Sequence, residues 1–336
     1  MIQTANKTRL DYIDVSKGIG ILLVVLGHLA IPSKLFDFIF SFHMPLFFII
    51  SGILLFYNNR WQTDNLQFTI KRKIKSILWP YIVFSILAII VDIVIFKHYT
   101  FTENYLFSFF TLTGIGELWF LSALFIGEIV FIVLMNKFKG KENLLIFIIV
   151  IALTALFSIK TSSVYLGSGA RYSLRLLNVL NRGLMAYIFV FIGFYISEFK
   201  NKLSLNKNIL ILLAAVALIL TVLISQFNHA DLHFSIIGNP ILFYIAALSG
   251  SFSIIVLSKF ILNKITFLNF LGINSLIIFV THRYGKLLTA FLSDYFYIQF
   301  ILVVIISVVF VIIINKFARF LISYDEFKKI VLRTIV

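Results

Sequence analysis

The chain has no cysteine, only four prolines and few charged residues. Without a thiol it can form no disulfide, no thiolate nucleophile and no cysteine metal site. Charged residues make up 13% of the 336 residues, about half the share that is usual in a soluble domain. By contrast, 61% of the residues are hydrophobic and the mean hydropathy is +1.04. A soluble core of this length could not bury so much apolar surface, so we predict an integral membrane protein.

Acidic residues are also scarce, with 14 Asp and Glu against 29 Lys and Arg and a formal net charge of +15. In a soluble protein this excess would suggest nucleic-acid binding. Here the basic residues lie in short connections between apolar runs, where they are better interpreted as topology signals and contacts to anionic lipids. We therefore expect membrane lipids, and no nucleic acid, among the partners.

Apolar runs long enough to cross a bilayer occur about ten times. They predict an all-α, polytopic membrane fold with about ten transmembrane helices in one integral membrane domain, residues 1–336. The predicted spans are 15–31, 36–57, 76–96, 118–136, 143–160, 184–199, 208–225, 240–262, 270–290 and 298–322.

Lysine and arginine are concentrated on one side of these spans. With the N-terminus, every second connection and the C-terminus placed in the cytoplasm, 21 of the 29 basic residues fall there. Because cytoplasmic loops retain positive charge, this bias predicts an even number of helices with both termini inside. The eight basic residues on the outer side are Lys34, Lys97, Lys160, Arg171, Arg175, Arg182, Arg283 and Lys286.

The first predicted span contains Lys17 and, eleven positions later, His28. Eleven helical steps are almost three turns, so the two side chains share a face and lie roughly 16 Å apart along the axis. Lys17 can be interpreted as a snorkelling cytoplasmic anchor. His28 lies at membrane depth, where an ionisable group is costly and suggests function. A neutral imidazole there could act as a general base, and Glu117 is at a compatible depth to orient it, unless that carboxylate faces water.

The other histidines share the outer half of the predicted topology. His43 and His282 lie within the outer parts of their spans, where a hydrogen bond between helices is the simpler interpretation. His98, His229 and His233 fall in outer loops.

Two basic clusters lie at opposite membrane surfaces. Arg171, Arg175 and Arg182 fall in the predicted outer connection 161–183 and could hold an anionic or hydroxyl-rich substrate; lipid headgroups or acids of neighbouring loops are equally good partners. At the cytoplasmic surface, the cluster of residues 71–75 and Lys17 could dock a phosphorylated cofactor, although any inner helix end can carry such a cluster.

Several motifs, in order along nearly the whole chain, resemble the membrane acyltransferase 3 family, in particular its fucose 4-O-acetylase-like branch. The two most specific are Ile13-Asp14 through Lys17 to Gly27-His28, and Phe42-His43-Met44-Pro45 with Ser51-Gly52. Weaker matches are Arg72 to Lys75 before Pro80-Tyr81, Leu118-Trp119-Phe120-Leu121, the Gly250 region, and Leu271 to Leu276 running to His282.

The resemblance implies an enzyme that moves an acetyl or similar acyl group from acyl-CoA to a hydroxyl, usually of a glycan or lipid-linked sugar, in polysaccharide modification of the cell envelope. It implies a multi-pass protein of a bacterial inner membrane, with acetyl-CoA as donor substrate, no permanently bound cofactor and no metal. Its signature elements fall on Lys17 with His28 and on Arg72 with Lys75, where this chain has lysine in place of the commoner arginine.

On this basis we expect His28 and Glu117 to be catalytic and Lys17, Arg72 and Lys75 to bind the donor. The residues expected to bind the acceptor are Arg171, Arg175, His43, Trp119 and His282. Whether His28 activates the acceptor or is transiently acylated stays open. The alternative function is a transporter or flippase of a lipid-linked sugar, which lacks support from inverted repeats or paired broken segments.

Overall fold

The computed structural model describes residues 10–58, 65–94, 102–138, 140–161, 171–200 and 206–335. Within these ranges the chain is helical and contains no β-strand, and a bridge between Asp231 and Ile236 is isolated. The all-α prediction is thus confirmed for this part of the chain. Lys97 and His98, which the topology prediction places in an outer loop, lie outside the described residues.

The helices follow one another along the chain with short connections. They are α1 (Asp11–Gly27), α2 (Ser33–Tyr57), α3 (Leu66–Lys73), α4 (Trp79–Val94), α5 (Thr102–Phe110), α6 (Trp119–Lys137), α7 (Lys141–Thr161), α8 (Tyr172–Lys200), α9 (Lys207–Ser225), α10 (Pro240–Phe260), α11 (Thr266–Ile273), α12 (Ser275–Thr289), α13 (Phe296–Phe317) and α14 (Tyr324–Ile335).

Eight stretches of the described chain are long and apolar enough to cross a membrane. They contain α2, α3 with α4, α6, α7, α8, α9, α10 and α13, so the protein is a multi-pass helical membrane protein. The two other predicted spans, 15–31 and 270–290, correspond to the 17-residue helix α1 and to the broken pair α11 and α12. The count of ten and the side of each terminus stay predictions.

Two of the spans predicted from the sequence contain an irregular turn with an identifiable cause. Helix α3 continues into α4 through a π-helical turn, Ile74–Leu78, just before Pro80. Proline lacks an N–H and its ring collides with the carbonyl four residues earlier, so the backbone widens ahead of it. Between α11 and α12, the Asn274 side chain donates a 2.8 Å hydrogen bond to the Phe270 carbonyl and competes with the backbone for it. The predicted span 270–290 is therefore two helices.

Helix α8 begins twelve residues before the predicted start at residue 184. Arg175 and Arg182 consequently lie inside a helix and not in an outer connection. The apolar pattern alone could not predict this start, because it is interrupted by side chains that find polar partners inside the protein. Arg175 is 3% exposed and Arg182 is 2% exposed.

Helices α1, α2 and α8 form the interior of the bundle and meet their neighbours through glycines. A Cβ on Gly52 of α2 would collide with the backbone of Val190 in α8, and one on Gly193 of α8 would collide with the backbone of Ile49 in α2. Small residues of this kind let membrane helices approach closely. Gly18 of α1 lies equally close to the backbone of α11. These contacts fix the position of α1, which carries Lys17 and His28.

Candidate active site

His28 immediately follows the last residue of α1, so the position of its side chain is fixed by the end of this helix. Its Nδ1 lies 2.8 Å from the Val24 carbonyl oxygen. A carbonyl oxygen can only accept, so Nδ1 carries a proton, and in the neutral ring the lone pair is then at Nε2. His28 therefore has the tautomer that a general base needs at Nε2.

Glu117 and His282 lie beside His28. A carboxylate oxygen of Glu117 and one ring nitrogen from each histidine all lie within 4.8 Å of one another, and the two imidazole rings meet edge to face with centroids 4.9 Å apart. His282, on α12, is 1% exposed, and its Nδ1 lies 2.7 Å from the Phe279 carbonyl oxygen. Its Nε2 is buried and has no hydrogen-bond partner among the described residues.

A cavity of about 240 Å³ opens onto this cluster. Its wall contains both carboxylates and imidazoles, an arrangement that can donate to and accept from hydroxyl groups. The residues that line it are Gly27, His28, Phe36, Phe40, His43, Met44, Glu117, Trp119, Asp231, Leu232 and His233. Lysine and arginine are absent from this part of the described wall.

His43 and Trp119, both expected to bind acceptor, reach the same cavity. His43 repeats the hydrogen-bond pattern of His28 and His282, with its Nδ1 2.7 Å from the carbonyl oxygen of Ile39. The indole of Trp119 is stacked on His233, with centroids 5.6 Å apart and the planes nearly parallel. The Arg182 guanidinium lies 5.4 Å from the Trp119 ring. Trp119 thus forms a rigid part of the cavity wall.

The loop between α9 and α10 closes the cavity through Asp231 and His233. Burial, and secondly the Arg182 cation, lower the pKa of His233 to about 3. Burial raises the pKa of Asp231, although its carboxylate accepts a 2.9 Å hydrogen bond from the His233 backbone N–H, which acts in the opposite direction. His233 is therefore neutral at pH 7 and adds no positive charge to the cavity.

A second and larger cavity, of about 1110 Å³, is lined by the Lys17 end of α1. Two buried carboxylates pair with the lysines in its wall. Lys17 Nζ lies 2.7 Å from Asp14, and Lys73 Nζ lies 2.8 Å from Glu128, which also accepts a hydrogen bond from the Ser51 hydroxyl. The rest of the wall is largely apolar and includes Ile13, Ile21, Phe47, Phe120, Leu121 and Phe279.

The two cavities meet at Met44, which lines both. Phe279 lines the large cavity, and its ring lies 6.0 Å from that of His282. A methionine side chain is flexible and adapts to its neighbours. One methionine side chain is thus shared between the walls of the lysine-bearing cavity and the histidine-bearing cavity.

Of the basic cluster 71–75, the wall of the large cavity contains Lys73. Arg72 and Lys75, expected to bind the donor, are outside the described lining. Lys75 makes a partly exposed ion pair of 3.0 Å with Asp325 of α14. Sequence reasoning included Lys73 in the cluster but did not single it out.

The arginines expected to bind acceptor are also placed differently from one another. Arg171 is exposed and precedes α8. Arg175 donates hydrogen bonds to Asn104 at 3.0 Å and to Ser108 at 2.8 Å. Arg182 donates to the backbone carbonyl of Thr113 at 2.9 Å. None of the three is part of the described cavity lining.

Sequence reasoning missed Glu128, Ser51 and Asp231. Glu128 had a usable signal, because an acidic residue inside a predicted span is by default a candidate functional group. Ser51 was part of a quoted motif but was given no role, and Asp231 resembled any acidic loop residue.

A helical membrane protein whose histidines cluster with a glutamate beside a cavity has side chains suited to a membrane-embedded enzyme. Over residues 10–316 the chain matches the model of the acyltransferase 3 family, described as an acyltransferase domain. The chain belongs to this family, and membership supports a membrane acyltransferase activity. Neither the curated proteins nor the solved structures compared with the chain gave a match.

Proposed function

We propose that this protein is a membrane O-acyltransferase that moves an acetyl or similar acyl group from acyl-CoA to a hydroxyl of a cell-surface or lipid-linked glycan. The observation that carries the proposal is the cluster of His28, Glu117 and His282, reached by one cavity and separated by Met44 from a second cavity that contains lysines. The fucose 4-O-acetylase-like branch, with acetyl-CoA as donor, is part of the proposal.

The large cavity is the donor site. Its volume is slightly above the upper end of the usual range for ligand pockets, which suits a long ligand. Lys17 and Lys73 provide cations for the phosphates, and the apolar wall accommodates the acyl-bearing arm. In the proposed orientation this cavity opens to the cytoplasm, where acyl-CoA is made, and the thioester reaches the level of Met44.

The small cavity is the acceptor site. The described lining combines two carboxylates, three imidazoles and aromatic side chains without lysine or arginine, and such groups hydrogen-bond to hydroxyls in either direction. Its volume of about 240 Å³ is far smaller than that of the donor cavity, so it receives a single sugar unit. In the proposed topology of ten helices with both termini inside a bacterial inner membrane, this site lies in the outer half.

Acyl transfer is carried by His28. Its Nε2 takes the proton from the acceptor hydroxyl as the oxygen attacks the thioester carbonyl carbon. The new C–O bond forms, the C–S bond breaks, and the proton passes to the departing CoA sulfur. The products are an ester and CoA. His282 is buried and His28 and Glu117 are half-buried, so contact with water, and with it hydrolysis of the thioester, is limited.

Glu117 and His282 support His28 in two ways. The carboxylate of Glu117 lies close enough to favour the imidazolium that forms during transfer. The ring of His282, which is outside the described lining of the small cavity, packs edge to face on that of His28 and holds it in position. His43 lies farther along the same wall as an acceptor-binding group.

The test uses detergent-purified protein, radiolabelled acetyl-CoA and a panel of lipid-linked and free sugars. Release of CoA together with a labelled ester on a sugar is the expected result. Transport of a sugar without release of CoA would contradict the proposal and favour the flippase alternative.

A donor-site variant tests the placement of acyl-CoA. Lys17→Gln keeps a hydrogen-bond donor for Asp14 but removes the positive charge, so the KM for acyl-CoA is expected to rise about tenfold with little change in kcat. Lys137→Ala is the matched control, because this exposed lysine lies outside both described linings. Equal KM values for the two variants would contradict the assignment of the donor cavity.

A further inference from the structure

We propose that His28, Glu117 and His282 form a binding site for a transition-metal ion such as Zn²⁺, and that the bound ion inhibits acyl transfer. The inhibition rests on the proposed function, since the ion would occupy the Nε2 lone pair that His28 uses as a base. The binding does not rest on it. The proposal departs from the sequence prediction that no metal is bound, and it concerns an inhibitory ion and not a cofactor.

The three groups are the ligand types that Zn²⁺ prefers. Two imidazoles and one carboxylate, with a remaining open position, occur in known zinc sites. They also suit Co²⁺, Ni²⁺ and Cu²⁺, whereas Mg²⁺ prefers oxygen ligands. With no cysteine in the chain, imidazole and carboxylate are the strongest ligands it can offer to such ions.

The hydrogen bonds behind the two histidines are those of metal ligands. Imidazoles that bind a metal through one nitrogen usually donate the other N–H to a backbone carbonyl or a carboxylate, which fixes the ring and its tautomer. His28 does so to Val24 at 2.8 Å, and His282 does so to Phe279 at 2.7 Å. In the neutral form of each ring the lone pair is therefore on Nε2, where a cation can bind it.

The distances require only a local contraction. Metal–ligand bonds of about 2.0–2.2 Å place the ligand atoms of a tetrahedral site roughly 3.4 Å apart. The three atoms lie within 4.8 Å of one another, so the largest separation shortens by at most about 1.4 Å. Glu117 is the ligand that can move, because it follows Gly116 in a single 3₁₀ turn, whereas His282 lies within α12 and His28 directly follows α1. The small cavity beside His28 and Glu117 supplies a water molecule as fourth ligand.

Three further observations favour a cation at this position. The Nε2 of His282 is buried without a hydrogen-bond partner among the described residues, which is costly unless a ligand uses it. The nearby cation Arg283 is paired with Asp92, at 3.2 and 3.3 Å, so its charge is partly compensated. Asp231, in the wall of the small cavity, adds negative charge on the other side.

The experiment measures metal binding by untagged, chelator-treated protein in detergent, with ZnCl₂ as the probe and MgCl₂ as the comparison. One Zn²⁺ per chain with saturable binding is expected, and Mg²⁺ is expected not to compete. Glu117→Gln and His282→Asn should each weaken Zn²⁺ binding at least tenfold. His229→Asn is the control, because His229 lies 2.6 Å from Asp37 in an exposed pair that is the alternative site for an adventitious ion.

Binding that disappears in His229→Asn and persists in Glu117→Gln and His282→Asn would overturn the proposal, as would the absence of saturable Zn²⁺ binding. If the variants do not fold, the test is made on the unmodified protein with Co²⁺ in place of Zn²⁺. Bound Co²⁺ should give the visible absorption bands of a four- or five-coordinate site with nitrogen and oxygen ligands. Absence of these bands would also overturn it.

Inhibition is measured separately in the acyl-transfer assay. Free Zn²⁺ is expected to lower transfer at least tenfold at saturation, with recovery on chelation. Binding without inhibition would overturn the inhibitory part. Failure of every preparation to transfer an acyl group would instead contradict the proposed function and leave the metal-binding result standing.

Discussion

Replacing Glu128 with leucine should destabilise the protein, because this carboxylate has two partners in the wall of the large cavity. The side chain is 5% exposed, and its oxygens accept from the Ser51 hydroxyl and pair with Lys73 Nζ at 2.8 Å. The variant leaves a largely buried ammonium and a buried hydroxyl without their partner. Breaking a buried ion pair from one side costs about 3–5 kcal/mol.

We expect the lower end of that range, about 3 kcal/mol, because Lys73 is 17% exposed and faces the cavity. With an unfolding entropy of about 2.1 cal/mol/K per residue, the chain gains roughly 0.7 kcal/mol/K on unfolding, so the midpoint should fall by about 4 °C. Thermal unfolding in detergent, followed by intrinsic fluorescence, measures this change.

The double variant Lys73→Met with Glu128→Leu separates pairing from packing. Because neither charge is then left alone, the midpoint should return to within about 1 °C of the original. A Glu128→Leu midpoint equal to the original, or a double variant less stable than the single one, would refute the reasoning.

Two further changes test the packing and the loop that closes the small cavity. Gly193→Ala should cost about 1–3 kcal/mol in the same thermal assay, because the added methyl meets the backbone of Ile49. Gly140→Ala is the control: a Cβ there meets nothing within 4 Å, so this variant should show only the effect of the positive φ. Equal losses of stability in the two variants would contradict the packing account. For His233, the folded-state pKa of about 3 lies below the usual 6.5. Between these two pH values the unfolded chain therefore binds one more proton at this residue than the folded chain does. The free energy of unfolding should fall by at most about 1.4 kcal/mol per pH unit as the pH drops from about 6.5 towards 3. His233→Gln should flatten this pH dependence, and an unchanged slope would contradict the assignment.

Sequence reasoning could predict the all-helical membrane fold, since that follows from the length and composition of the apolar runs. It could also predict that His28, His282 and Glu117 lie at a similar depth, because each occurs near the same end of its predicted span. It could not predict that the three side chains meet. Their meeting depends on the break at Asn274 and on the end of α1 at Gly27. Neither feature interrupts the apolar pattern of the sequence, so the pattern could not predict it.

The charged residues were harder to place for a related reason. Which member of the cluster 71–75 faces the cavity depends on the rotation of α3, and the π-helical turn ahead of Pro80 changes that rotation along the helix. Arg175 and Arg182 were expected in a loop, because a charged side chain lowers the hydrophobicity by which a membrane span is recognised. In the structure their hydrogen bonds to Ser108 and Thr113 make burial acceptable.

The most direct test of the central claim is single-turnover acyl transfer by His28→Ala, compared with His229→Ala, whose ring is outside both described cavity linings. Loss of a positioned base should lower transfer by about 10²–10⁴-fold, while acyl-CoA binding stays within about threefold because the donor lysines are unchanged. His229→Ala should retain nearly full transfer. Transfer by His28→Ala at more than a tenth of the original rate would contradict the account.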